Sequence, residues 1–204
     1  MVNICTLPLG DYQTNCYLVW GENSQSCVVI DPGFEPETVL LKARQLGKKI
    51  EGIFLTHGHF DHVGGVKEIV LTTGCGLWMG EGDYTQKKSQ EMDFFYPIHD
   101  CEFTNVSFCQ EGEQLCAAGL VFRVMETPGH TMGSVCYLCE DALFSGDTLF
   151  QGSCGRTDLP GGSWNTIADS PKRLAALETD FKVYPGHGPA TTLAEEKMYN
   201  PYMR

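Results

Sequence analysis

THGHFDHVGG, residues 56–65, places His57, His59, Asp61 and His62 within six consecutive positions of a chain that holds six histidines in 204 residues. Side chains alternate along an extended segment, so His57 and His59 project to one side and can chelate a single ion. Asp61 and His62 open the next element, as the N-terminus of a helix would, and point elsewhere. One short stretch therefore offers two half-sites.

Working outward, the apolar run IFLT ends at His57, and three further runs end in the same way: VMETPG at His130, LFSG at Asp147 and VYPG at His187. Four strands thus deliver a metal-type side chain at or just past their ends, on loops held by a rigid scaffold. Glycines beside these ligands (Gly58, Gly129, Gly146, Gly186, Gly188) allow sharp turns or a close backbone approach. A lone histidine is ordinarily a hydrogen-bonded residue, and a lone Asp after a strand is ordinarily a turn residue. The joint pattern favours metal binding. A catalytic zinc takes about three protein ligands and keeps one position open. The seven candidates His57, His59, Asp61, His62, His130, Asp147 and His187 divide as three, three and one shared carboxylate. His99, in YPIHD, has none of these features and is read as a non-ligand.

Composition narrows the setting. The length suits one domain over residues 1–204, with 42% hydrophobic and 20% charged residues typical of a soluble globule. A formal charge of −12, with the acids dispersed, disfavours nucleic acid, because phosphate binding needs clustered Lys and Arg. No apolar run approaches the roughly 20 residues that span a bilayer, and MVNICTLPLGDYQTN lacks the basic and apolar regions of a signal peptide. A cytoplasmic protein without a membrane partner is expected. The ten cysteines are scattered, several within apolar runs, and read as buried reduced thiols. Cys136 and Cys139 form a CxxC, but on a strand residues three apart face opposite sides.

NCYLVWG, SCVVIDPG, IEGIFLTHG, FRVMETPGH, GSVCYLCED, ALFSGDT and KVYPGHG read as strands. Helical patterns cover residues 36–47, 62–74 and 170–180. Residues 80–105 have weak periodicity and read as an excursion over the surface. The chain is α/β.

The order THGHFDH, TPGHTMGS, FSGDTLF and YPGHG resembles the metallo-β-lactamase superfamily, and SCGRTDLPGG with the ending EEKMYNPYMR is most similar to its glyoxalase II-like (hydroxyacylglutathione hydrolase-like) members. The resemblance implies a four-layer αβ/βα sandwich, two mixed sheets packed face to face with helices outside; full-length glyoxalase II members add a C-terminal helical domain, and because this sequence stops after NPYMR no such separate domain is expected. It implies one divalent metal ion on His57, His59 and His130, a second on Asp61, His62 and His187, and Asp147 bridging them. These donors suit zinc and are compatible with iron or manganese. Arg156 matches the family's basic glutathione-binding position, whereas Asp158 stands where an aromatic residue follows it.

The implied chemistry is hydrolysis by a metal-bridging hydroxide, because divalent ions lower the pKa of water from about 15.7 toward 7 and polarise a carbonyl. A thiolate, with a solution pKa near 8.5, leaves without a general acid, so a small thioester or ester is the expected substrate. Asp61 is expected to orient the hydroxide as well as to ligate. Arg156 is the candidate for a substrate carboxylate, with an internal ion pair to Asp158 as the alternative. Asp31 and Thr56 are candidates to fix imidazole orientation, and Cys154 is read as structural rather than nucleophilic. The competing readings are a mononuclear iron persulfide dioxygenase, a lactonase and a non-catalytic metal-binding protein.

Overall fold

Strands that are apolar at every position need cover on both faces, and two six-stranded sheets provide it here. The computed structural model describes residues 1–85, 95–97 and 106–204. The first sheet runs β1 (Val2–Leu9), β2 (Thr14–Gly21), β3 (Ser26–Ile30), β4 (Lys49–Phe54), β5 (Gly76–Gly80) and β6 (Val106–Cys109), antiparallel up to β3 and parallel thereafter. The second contains β7 (Gln114–Ala117), β8 (Leu120–Glu126), β9 (Val135–Cys139), β10 (Ala142–Gly146), β13 (Lys182–Pro185) and β14 (Thr191–Thr192), with only β10 and β13 parallel. A two-stranded ribbon, β11 (Leu149–Phe150) and β12 (Ser153–Cys154), follows β10.

Alternation along each strand sorts the side chains into layers. Tyr17, Val19, Val28, Ile30 and Phe54 of the first sheet meet Phe122, Val124, Tyr137 and Phe144 of the second between the sheets. Their neighbours Leu18, Val29, Ile53 and Leu55 face outward onto α1 (Pro36–Gln45) and α3 (Val66–Thr73), through Val39, Ala43, Ile69 and Val70. On the opposite flank Leu138, Leu143 and Val183 pack with Leu174 and Leu193. Those two leucines belong to α6 (Ser170–Ala175) and α7 (Leu193–Tyr199). The architecture is helix, sheet, sheet, helix, the expected αβ/βα sandwich. Short helices α2 (Phe60–Val63), α4 (Glu81–Tyr84) and α5 (Trp164–Ile167) lie in the loops. No helix among the described residues is long and apolar enough to cross a membrane.

The helical pattern over residues 62–74 is two helices, not one. The chain breaks at Gly64–Gly65, where it crosses the Pro32–Gly33 turn: Gly65 N–H donates to Pro32 O at 2.8 Å, and a Cβ on either glycine would press against those carbonyls. The pattern over 170–180 ends as a helix at Ala175. β1, β5, β6, β7 and the two-residue strands β11, β12 and β14 carry no strand reading from sequence. Among the described residues of 80–105, the stretch read as a surface excursion, Asp83 and Tyr96 are both 0% exposed. Positions 86–94 and 98–105, His99 included, lie outside the described residues. Cys136 and Cys139 do face opposite sides of β9, and all nine described cysteines are free, six of them buried.

Phe54 packs at the centre of the inter-sheet layer, with ring centroids 5.1 Å from Phe122, 5.2 Å from Tyr137 and 5.5 Å from Trp78. Tyr137 Oη donates to Leu55 O at 2.8 Å, and Val135 N–H donates to Thr56 O at 2.8 Å. The second sheet therefore holds the end of the strand from which residues 57–62 emerge. Truncating such a buried aromatic removes both transfer energy and packing, so Phe54→Ala should cost about 3–5 kcal/mol of stability, measured by equilibrium denaturant unfolding. A loss below about 1 kcal/mol would show that this ring does not join the sheets.

Candidate metal centre

Every histidine of the cluster has one nitrogen committed to a protein partner or to the facing imidazole, and the commitments decide where its lone pair points. His62 Nδ1 donates to Asp31 Oδ2 (3.0 Å), His130 Nδ1 to the Arg156 carbonyl (2.8 Å) and His187 Nδ1 to the Tyr12 carbonyl (3.1 Å). Thr56 Oγ1 gives its own proton to Asp31 Oδ2 (2.6 Å) and lies 3.1 Å from His57 Nδ1, which donates to it. In the neutral form of each of these four rings the lone pair is left on Nε2. His59 Nδ1 faces His130 Nε2 at 3.0 Å, and His62 Nε2 faces His187 Nε2 at 3.3 Å.

The potential donor atoms of His57, His59 and His130 lie within 4.8 Å of one another, as do those of Asp61, His62 and His187. Asp147 stands between the triads: Oδ1 is 3.5 Å from His62 Nε2, while Oδ2 is 3.5 Å from His130 Nε2 and 3.6 Å from His187 Nε2. His57 Nε2 and Asp147 Oδ1 are buried without a hydrogen-bond partner, although buried polar atoms are nearly always paired. Lone pairs aimed at one another and orphaned acceptors between them fit divalent cations. Asp31, His57 and His62 also cluster, but both Asp31 oxygens are already taken, Oδ1 by Thr56 N–H (2.7 Å) and Oδ2 by the Thr56 hydroxyl and His62. Asp31 and Thr56 thus orient the two imidazoles that straddle the triads.

Local backbone explains how the groups converge. Asp31 has a left-handed φ of 50°, tolerated by Asp, which turns its carboxylate back toward Thr56. Gly186 approaches so closely that a Cβ there would overlap Asp147 Oδ1 and His62. The His187 loop is held by Asn15, whose Nδ2 donates to Pro185 O (3.0 Å) and Gly188 O (2.9 Å), and by Tyr17 Oη to Pro185 O (2.6 Å). Thr14 Oγ1 donates to Asp61 Oδ2 at 3.1 Å.

Sequence reasoning passed over Thr14, Asn15, Asp83 and Tyr96. Tyr96 packs on His59 with centroids 5.0 Å apart and donates to Pro160 O at 2.8 Å. The one available signal was the polar pair Thr14 and Asn15 opening an otherwise apolar strand. Arg156 and Asp158 are 63% and 66% exposed and form a bidentate pair, Nε to Oδ1 at 2.7 Å and Nη2 to Oδ2 at 2.6 Å. Cys154 is half-buried in the wall of a cavity that His59, Asp61, His130 and His187 also line, and burial raises its thiol pKa.

Burial and the neighbouring imidazoles push His57 well below its usual range and His59 down to about 3. His62 moves the other way. Burial opposes its charge, but Asp147, Asp31 and Asp61 outweigh it and raise the group to about 9. His187 is raised against burial by its bond to Asp61 and by Asp147. Asp61, despite burial, is held low by His187 and His62.

In the metal-free protein at pH 7, His62 therefore carries a proton that a metal ion must displace. Zinc loading in weak buffer should release protons, and affinity should rise as pH approaches about 9, read with a pH indicator during titration; loading without proton release would contradict the assignment. Asp31→Ala should weaken metal binding roughly 10–100-fold, measured by chelator competition, and unchanged affinity would remove its orienting role.

The metallo-beta-lactamase superfamily profile matches residues 9–187. A hydroxyacylglutathione hydrolase, GloC, of Haemophilus influenzae is 34% identical over 99% of this chain and 98% of its own length. Among solved structures, the BLEG-1 B3 metallo-beta-lactamase is 30% identical with a TM-score of 0.85, covering 100% of this chain and 99% of its own. TTHA1623 in a di-iron-bound form is 35% identical with a TM-score of 0.82, covering 97% and 99%. The chain belongs to the metallo-β-lactamase superfamily of metallohydrolases.

Proposed function

We propose that this protein is a binuclear metal-dependent hydrolase of small thioesters, of the S-acylglutathione type. The observation that carries the reading is the convergence of the two triads and Asp147 at a cavity of about 540 Å3. Tyr12, Phe60, Phe95, Phe150 and Leu159 give that cavity an apolar wall, while His59, Asp61, His130, Asp147 and His187 line it with ligating groups. The hydroxyacylglutathione hydrolase relative, similar over its whole length, supports the substrate class.

Divalent ions bound at the triads would supply an activated water and a Lewis acid for a carbonyl oxygen. The protein's own groups do the rest. Asp61 and Asp147 present carboxylate oxygens to the cavity, where they can accept hydrogen bonds from the attacking water. The aromatic wall excludes bulk solvent and holds the apolar part of an acyl or thiol arm. His130 and His187 have both nitrogens committed, one to a carbonyl and one to the site, so neither is a ready proton donor. A thiolate leaving group suits that arrangement, since a thiol with a solution pKa near 8.5 departs as its anion without a general acid.

Arg156 lines the rim of the cavity. Its pair with Asp158 is exposed, and exposed pairs contribute little, so a substrate carboxylate can take the place of Asp158 on the guanidinium. Zinc is the metal proposed from the donor types, and the di-iron form of TTHA1623 keeps iron as the competing identity. The presence of the Asp61, His62 and His187 triad favours two ions over a mononuclear oxygen-dependent reaction.

A hydrolysis screen over thioesters, lactones and β-lactams, with metal counted in the same sample, tests the proposal. Thioester turnover with two ions per chain is expected. Oxygen uptake with one iron, lactone cleavage alone, or tight metal binding without any turnover would each replace it. Asp147→Ala should lower occupancy of both ions together, and loss of one ion alone would contradict a bridging role.

A further inference from the structure

The three ligands of the first triad arrive on two separate loops, the one after β4 that carries His57 and His59 and the one between β8 and β9 that carries His130. Their ends share one backbone bond, Val135 N–H to Thr56 O, but no strand ladder ties the ligand-bearing parts of the two loops together. Asp83 of α4, 0% exposed, joins them. Its Oδ2 accepts from Gly58 N–H at 2.7 Å, the peptide between the two histidines, and from Thr131 Oγ1 at 2.7 Å, the residue after His130. Its Oδ1 accepts from Gly133 N–H at 2.7 Å. No cation is paired with this carboxylate in the ion pairs of the described residues, so three hydrogen bonds hold a buried carboxylate that burial itself disfavours. Leaving a carboxylate there without its donors is costly, which makes the geometry of the three donors tightly specified.

The packing leaves no slack for a substitute. A Cβ on Gly58 would fall 2.9 Å from Asp83 Cβ, and one on Gly133 would fall 2.5 Å from Asp83 N. Thr131 Oγ1 also lies 2.8 Å from Ser134 Oγ, whose oxygen accepts from Thr131 N–H at 3.1 Å, so the His130 loop is braced around the same point. The second triad takes a different set of supports: Thr14 on Asp61, Asp31 on His62, and the Tyr12 carbonyl and Asn15 on His187 and its loop. Asp83 touches none of them.

We propose that Asp83 is a positioning residue for the first ion alone, fixing the spacing of His57 and His59 from His130 by clamping the peptides beside them. The inference rests on the reading of the two triads as metal sites. It assigns separate supports to the two ions, with Asp31 shared and Asp83 specific.

The test uses Co2+ as probe, followed by its electronic absorption and by chelator competition, in two backgrounds of the full chain. His187→Ala retains the first triad, and His59→Ala retains the second. Asp83→Ala should lower Co2+ affinity roughly 10–100-fold in the first background and leave it within about twofold in the second, with altered d–d bands only in the first. Thr131→Val, which removes one of the three bonds and spares the fold, should shift affinity in the same direction by less. Asp83→Asn, which keeps an acceptor for Gly58 and Thr131 but offers no acceptor to Gly133, should fall between wild type and Asp83→Ala. Equal weakening in both backgrounds, or no change from Thr131→Val and Asp83→Asn in the first, would overturn the role of Asp83. Failure of both parent backgrounds and the wild-type chain to bind Co2+ would instead overturn the metal reading.

Discussion

The structure depends on holding imidazole lone pairs and carboxylates face to face in a dry interior. Such an arrangement is unfavourable by itself: His59 Nδ1 and His130 Nε2 approach to 3.0 Å, and Asp147 Oδ1 is buried without a partner. It persists because the opposite atom of most rings is fixed by a group that cannot easily move. Two of those groups are backbone carbonyls, and the others are Asp31 and the threonine it holds. Rigidity precedes the ligands here, because a hydrogen bond on one ring nitrogen determines which way the other faces.

The sandwich supplies that rigidity. Tyr137 from the second sheet grips Leu55, and Tyr17 from the first grips Pro185. Each aromatic residue buries its ring between the sheets and places its hydroxyl on a carbonyl beside a ligand loop, so packing and site geometry are two consequences of one set of side chains. The same crossing explains the glycines at 64, 65 and 186, where backbones pass too closely for any Cβ.

Charge is partitioned just as unevenly. Around His62 three carboxylates outweigh burial, whereas around His57 and His59 burial and neighbouring imidazoles prevail. In the first triad His57 and His59 are therefore drawn toward their neutral forms, whereas the second triad holds a carboxylate and histidines drawn toward their charged forms. Two clusters of potential donor groups of different character result, and Asp147 stands between them.

Much of this was legible from residue order. The HxHxDH spacing and the Gly-flanked His130, Asp147 and His187 at strand ends named every residue of the triads, because ligand type and the period-two alternation of a strand are local properties. Asp31 and Thr56 were also accessible, since each stands at the end of an apolar strand run, as the ligands do. Local pattern failed where the partner is distant in sequence. Asp83 sits 25 residues from Gly58 and 50 from Gly133, and nothing in GEGDYT marks its carboxylate as buried. The break at Gly64–Gly65, which periodicity reads through, arises from a turn more than 30 residues earlier. The pairing of Arg156 with Asp158 is local, but whether that pair lies buried or exposed was decided only by the folded surface. Sequence thus determined which groups are available to bind metal, through donor chemistry and spacing. Tertiary structure decided how each donor is aimed, because aiming requires hydrogen bonds between loops that meet only once the sheets have packed.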